Sequence, residues 1–416
     1  MDKRPAPDAA CRFCGSALRH TFVDLGMSPP CETYLTAEQL HEMEPFYPLH
    51  VFVCHECLLV QLPEHVAPQD IFTEYAYFSS YSDSWLAHAK AYTEKMVAQR
   101  ELGKDSLVVE LASNDGYLLQ YFVAQGVPVL GIEPAANVGK EAVRKGVPTV
   151  TKFFGREVAA ELASEGKQAD LIVANNVLAH VPDIRSFVEG MKLLLKPAGA
   201  ITIEFPHLMR LMEGNQFDTI YHEHFSYLSF LAVTRILSHF GLEIFDVEEL
   251  ATHGGSLRVH ARHASSSAPP PTERVRELAR REEQEGFERL ETYFSFGRQV
   301  EETKRQILSF LIDARRSGKS IAGYGAPGKG NTLLNYCAIR TDFLDYAVDR
   351  NPYKHGKFLP GTHIPIFAPD KIRETRPDYV VIMPWNLKDE IRQQLSWIKE
   401  WGGKFVVFIP EVEIFG

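Results

Sequence analysis

The chain has 416 residues, 45% of them hydrophobic and 24% charged, with a formal net charge of −10. That length exceeds what one compact core serves, so two or three domains are expected, in a protein of ordinary globular composition. The acidic balance excludes a nucleic-acid binder working through a broad basic surface, but not a local pocket for a phosphate. No apolar run reaches the length of a membrane span, and Met1-Asp2-Lys3-Arg4-Pro5 has no apolar signal core. The expectation is a cytoplasmic protein with no membrane or nucleic-acid partner.

Four of the six cysteines fall in two pairs, Cys11-Arg12-Phe13-Cys14 and Cys54-His55-Glu56-Cys57. In a reducing compartment two such knuckles read as a tetrahedral Zn²⁺ site, since each turn presents two thiolates to one ion. A redox reading lacks the βαβ context it needs. Four cysteine ligands leave no open coordination position, so this metal is expected to hold structure and to do no chemistry. The long separation implies a loop or hairpin inserted between the knuckles, with short strands about Val51, Val53 and Leu58-Leu59-Val60. Tyr75-Ala76-Tyr77-Phe78 then begins an aromatic stretch that either packs between domains or touches a ligand, and a helix is expected from Ser84 to about Gln99.

Ser106-Leu107-Val108-Val109-Glu110-Leu111 is an apolar strand entering Ala112-Ser113-Asn114-Asp115-Gly116 and then a helix from Tyr117 to Gln125. Strand, turn and helix in that order aim backbone amides at a ligand. With one glycine where a phosphate loop has three, the ligand at this turn should lack a pyrophosphate. A second strand, Pro128 to Glu133, ends in an acid placed to accept ribose hydroxyls. Further strands are expected from Ala169 to His180, ending in the amides Asn175 and Asn176 and in His180, and from Gly199 to Pro206. Leu242–Leu250 and Ser256–His263 are joined by five residues, which makes an antiparallel hairpin.

Between the last parallel strand and that hairpin lies Tyr221-His222-Glu223-His224-Phe225, four consecutive proton-transfer groups. Such residues bury badly without partners, so the run is either a polar loop or the lining of a cleft. After the boundary Ser265 to Pro271, residues 273–316 carry apolar positions at helical spacing, as one long or two shorter helices. A glycine-rich turn, Gly323-Tyr324-Gly325-Ala326-Pro327-Gly328-Lys329-Gly330-Asn331, opens another alternation of strands and helices, with Asp349 and Asn351 at the end of its second strand. Its spacing is not GxGxxG, so a nucleotide diphosphate held by Lys329 and backbone amides is as good a reading as NAD.

The segment 80–265 resembles the class I S-adenosylmethionine methyltransferase fold. Glu110 to Gly116 is similar to that fold's first motif, with Ala112 and Asn114 in place of glycines, and Glu133 to its ribose-binding acid. The order of the whole chain resembles the three-domain sugar C-methyltransferases, on the four cysteines, Ser113-Asn114-Asp115-Gly116, Tyr221 to Phe225, Gly323 to Ala326 with Asp349 to Pro352, and Pro360-Gly361-Thr362. That resemblance implies an α/β protein: a zinc module (residues 1–75), a class I methyltransferase Rossmann-like domain (76–265), a helical connector (266–316) and a C-terminal Rossmann-like domain (317–416). It implies a structural Zn²⁺ on Cys11, Cys14, Cys54 and Cys57, and S-adenosylmethionine on Glu110, Ala112, Ser113, Asn114, Asp115, Gly116, Glu133, Asn175 and Asn176. A nucleotide-linked 4-keto deoxysugar would be methylated at C-3. Its contacts would be His222, Gly325, Ala326, Lys329, Asn331, Asp349 and Asn351, between the middle and last domains. His224 is implied as the base, beside Tyr221, Glu223, His180 and either Tyr75 or Tyr77. A monomer or weak homo-oligomer is expected. The alternatives are an O- or N-methyltransferase, a non-catalytic protein that keeps the fold as a scaffold, and zinc-dependent hydrolysis. The last is disfavoured because no HExxH pattern accompanies His222 and His224.

Overall fold

The computed structural model describes residues 9–68, 79–81, 83–266 and 269–416. The chain packs as two compact units, one of residues 1–18, 54–207 and 225–288 and one of 19–53, 208–224 and 289–416. Each unit therefore draws on several chain segments.

The first unit is built on a seven-stranded sheet. From edge to edge it runs Leu242–Leu250, Ser256–His263, Leu195–Pro206, Ala169–Asn175, Val108–Leu111, Val129–Ile132, Thr149–Val150. All pairings are parallel up to Leu195–Pro206, and the final hairpin is antiparallel. This is the class I methyltransferase sheet. The central strands are apolar on both faces because helices cover both. Val108, Leu171, Val173 and Ala200 pack with Tyr92 and Met96 of helix Asp83–Arg100 and with Leu119 and Phe122 of helix Leu119–Ala124, all buried. Gly131 is needed where the second parallel strand passes the turn, since a Cβ there would stand 2.4 Å from Ser113 Oγ.

The second unit carries a six-stranded sheet ordered Ile366–Phe367, Tyr346–Val348, Ile321–Tyr324, Tyr379–Ile382, Lys404–Val407, Glu413–Phe415. It is parallel except for the last strand. From Ile321–Tyr324 the chain winds to one side, then crosses and continues from Tyr379–Ile382 to the other. The crevice outside the carboxyl ends of those two strands is thus the topological switch point, where ligands bind in such sheets. The charged stretch after Thr272 resolves into two helices, Glu273–Gln284 in the first unit and Leu290–Arg316 in the second. The latter buries Tyr293, Phe296, Val300, Thr303, Ile307, Leu311 and Ala314, a stripe at spacings of three and four. On it packs the hairpin His20–Ser28 with Tyr47–Val53, Phe22 stacking on Phe296 at 4.7 Å between centroids.

Candidate active site

At the end of Val108–Leu111 the chain must turn sharply into the next helix, and three alternate residues take left-handed backbone: Ala112 (φ 56°), Asn114 (φ 49°) and Gly116 (φ 74°). The two residues standing where glycines were expected adopt glycine's conformation. This costs on the order of 1 kcal/mol for alanine and less for asparagine. Strain of this kind persists where the surroundings enforce it. Here the Ala112 and Ser113 amides both donate to the Ile132 carbonyl, and the Asn114 side chain accepts from the Ser79 amide at 2.9 Å. Glu133 Oε2 accepts from the Asn114 amide at 2.9 Å and Oε1 from its own Ala135 amide at 2.8 Å. Its carboxylate is therefore locked against the turn, with lone pairs remaining.

Several buried polar atoms in this region have no hydrogen-bond partner among the described residues: Glu110 Oε2, Ser113 Oγ, Asp115 Oδ1 and both amide atoms of Asn175. Burial pushes the Glu110 carboxyl well above the ordinary carboxylate range, a bond from Tyr117 pulls the other way, and Glu133 and Asp115 raise it further. The other oxygen of Asp115 accepts from Lys145 Nζ at 2.8 Å. Asn176, at the end of strand Ala169–Asn175, is also left-handed, with φ 52°. Orphaned buried atoms around strained turns at the carboxyl ends of parallel strands are what a polar, nucleoside-bearing ligand satisfies. His180 closes the short helical turn Leu178–His180 that follows.

In the same unit the four knuckle cysteines bring their sulfurs within 4.8 Å of one another, with Cys11–Cys57 and Cys14–Cys54 both at 3.5 Å. Ligands about 2.3 Å from a tetrahedral ion lie about 3.8 Å apart, so the set fits zinc. Gln61 Nε2 donates to Cys11 Sγ at 3.1 Å, a bond that steadies a thiolate ligand, and Arg12 donates to the carbonyls of Leu62 and Pro182.

The second unit holds Tyr221, His222, Glu223 and His224. They follow the helical turn Phe217–Thr219. His224 donates from Nδ1 to the Thr219 carbonyl at 2.9 Å, and its ring lies 4.1 Å from that of Tyr221. A carbonyl cannot donate, so Nδ1 carries a proton, and in the neutral ring the lone pair is then on Nε2. His222 is buried, donates from Nε2 to the Pro48 carbonyl at 3.3 Å and meets the Tyr47 ring edge-on. Cys31 Sγ lies 3.8 Å from Glu223 Oε1.

At the glycine-rich turn the backbone amides are engaged by the unit's own acids. The Ala326 amide donates to Asp349 Oδ2 at 2.7 Å, and the Gly328 amide donates to the Glu32 carboxylate. Asp349 Oδ1 takes the Asn351 amide, so this acid repeats the geometry of Glu133 in the first unit. Asn331 is buried and donates to the Cys31 carbonyl, while Gly325 has positive φ (84°) and no room for a Cβ beside Pro384. Lys329 lies over the Trp385 ring, 4.4 Å from its centroid, and donates to Asn386. Tyr75 and Tyr77 lie outside the described residues.

Asp218, Trp385, Asn386 and Glu32 did not emerge from the sequence, because their partners are far away in the chain. The one available signal was that Asp218 lies six positions before His224.

Over 98% of its length the chain is 35% identical to the C-methyltransferase NovU of Streptomyces niveus, covering 97% of that protein. The chain belongs to the C-methyltransferase family. Three family models match this C-methyltransferase in succession: a zinc binding domain over residues 11–72, a methyltransferase domain over 86–247 and a C-methyltransferase C-terminal domain over 251–410. A ubiquinone biosynthesis O-methyltransferase of Bartonella tribocorum is 24% identical over 97 residues, 23% of this chain and 39% of that one. Among solved structures, an S-adenosylmethionine-dependent methyltransferase of Clostridium acetobutylicum aligns with 43% of this chain and 92% of its own, at 12% identity and a TM-score of 0.36. The C-methyltransferase uses S-adenosylmethionine as donor and carries a structural zinc site on its four paired cysteines. Among the described residues no helix is long and apolar enough to cross a membrane.

Proposed function

We propose that this C-methyltransferase removes a proton from the carbon next to the ketone of a nucleotide-linked 4-keto deoxysugar and methylates that carbon, C-3, with His224 as the base. The observation that carries the reading is the bond from His224 Nδ1 to the Thr219 carbonyl, which leaves Nε2 as the basic nitrogen. Methylation at carbon, the chemistry named for NovU, requires a carbon acid, and a ketone supplies one. A neutral imidazole is suited to that proton at neutral pH.

The donor, when bound, supplies an electrophilic methyl group that needs only alignment. Glu133, locked by two amides, accepts the ribose hydroxyls. The Asn175 amide and Asp115 meet the donor's polar groups, and Ala112, Ser113, Asn114, Gly116 and Asn176 shape the backbone around it. Burial pushes the Glu110 carboxyl upward, and the donor's ammonium is a cation that would oppose that push.

On the acceptor side, His224 takes the proton, Tyr221 donates to the enolate oxygen, and Glu223 orients a sugar hydroxyl. Lys329 is the cation for the diphosphate, with Asn331, Asp349, Asn351, Gly325 and Ala326 lining its surroundings, and His222 supports the loop through Pro48. Because Ala326 and Gly328 spend their amides on Asp349 and Glu32, the diphosphate is held by side chains and not by the turn's backbone. We further propose that the zinc knuckles, the seven-stranded sheet and the terminal six-stranded sheet are the functional modules.

The test is the position of the new methyl group. A ¹³C-methyl donor and a nucleotide-linked 4-keto-6-deoxy sugar should give a methyl coupled to a ring carbon by NMR. A methyl attached through oxygen would favour the O-methyltransferase reading.

A further inference from the structure

Asp218 is a buried carboxylate, 1% exposed, in the helical turn that leads to the base, and the chemistry above does not use it. Its Oδ2 accepts from the Trp385 indole N–H at 2.8 Å, and its Oδ1 is buried. Ionised carboxylates are rarely buried without a cation in contact, so this one is costly to keep. Burial pushes its pKa up to about 6, against the pull of Lys329, the indole bond and the backbone amides of Asp218 and Thr219.

Its neighbour in the turn is Thr219, whose carbonyl holds His224 Nδ1. The next carbonyl, Ile220, accepts from Thr332 Oγ1 at 2.9 Å. On the other side, Trp385 begins the short helix after Tyr379–Ile382, so the indole stands at the switch-point crevice. Lys329, in the helix that follows the other strand of that crevice, places its ammonium on the same indole face. A cation on an indole polarises its N–H and strengthens the bond to Asp218.

We propose that Asp218 is a positioning residue of the reaction: through the Trp385 indole it ties the turn carrying the acceptor of His224 to the switch-point crevice, and so holds the base in its Nδ1–H tautomer. The inference rests on His224 being the base. It makes the crevice a mechanical anchor of the catalytic loop as well as a surface for ligand.

The test uses the full chain labelled with ¹⁵N-histidine, in which long-range proton–nitrogen spectra report the protonated ring nitrogen of His224. Wild type and Asp218→Asn, whose amide oxygen still accepts the indole bond, should show Nδ1–H. Asp218→Ala and Trp385→Phe should show mixed tautomers. In parallel, solvent deuterium exchange into the keto sugar without donor should slow roughly ten- to hundredfold in Asp218→Ala and Trp385→Phe, the worth of one hydrogen bond to a charged group, and recover most of that loss in Asp218→Asn. One His224 tautomer across all four proteins, or equal losses in Asp218→Ala and Asp218→Asn, would overturn the proposal. Failure of the base reading shows separately, as exchange in His224→Ala at the wild-type rate.

Discussion

The His224 imidazole donates from Nδ1 to the Thr219 carbonyl, 2.9 Å away and five residues earlier in the chain. A histidine held this way presents its other nitrogen as the base in one tautomer, with no proton to relocate before reaction. His224→Ala should therefore lower turnover by a factor on the order of 10² to 10⁴ while leaving the donor's dissociation constant unchanged. Steady-state rates and calorimetric titration of S-adenosylmethionine check both halves. Turnover within a few-fold of wild type would remove His224 from the mechanism.

Ala112 and Asn114 both hold left-handed backbone in the donor turn. Ala112→Gly should relieve strain and raise stability by about 0.5–1 kcal/mol, glycine's greater freedom in the unfolded chain offsetting part of the gain. Asn114→Gly relieves less strain and loses the bond from the Ser79 amide, so it should destabilise. Urea midpoints of the two variants should move in opposite directions.

Asp218 sets a stability cost that varies with pH. Its folded pKa of about 6 lies above the unfolded value of 3.8, so the folded state binds the extra proton between those values and stability falls as pH rises through that window. Asp218→Asn cannot ionise and should be more stable than wild type above pH 6, by up to about 3 kcal/mol, with the gain vanishing below pH 4. Thermal melts at pH 4 and pH 7.5 test this. A constant difference between the two proteins would contradict the assignment.

The purified protein should contain one zinc per chain by elemental analysis. Cys54→Ala should lose it and melt at a markedly lower temperature, since structural zinc contributes folding free energy directly. Retention of the metal in that variant would show that the four sulfurs are not its ligands.

The sheets were legible in the sequence where the chemistry was local. Val108–Leu111, Ala169–Asn175 and Tyr379–Ile382 are short apolar runs because parallel strands are buried on both faces, and the five-residue link before Ser256 dictates a hairpin. Strand His20–Ser28 was not, because register shifts between Thr21 and Val23 and between Asp24 and Met27 break the alternation that marks a strand. The residues of the donor turn could be located from Glu110 and Gly116, but the left-handed backbone at Ala112 could not, since alanine avoids it in isolation. Lys329 read as a phosphate ligand. That its ammonium lies on Trp385, and that Trp385 donates to Asp218, are tertiary facts with no signature at any single position.

The most direct test of the proposed reaction is solvent exchange without methyl donor. The enzyme, incubated in D₂O with a nucleotide-linked 4-keto-6-deoxy sugar, should incorporate deuterium at C-3, as read by loss of that proton's NMR signal, and His224→Ala should not. Exchange at C-5 alone, or methyl transfer with no exchange at any carbon beside the ketone, would contradict proton abstraction from C-3 by His224.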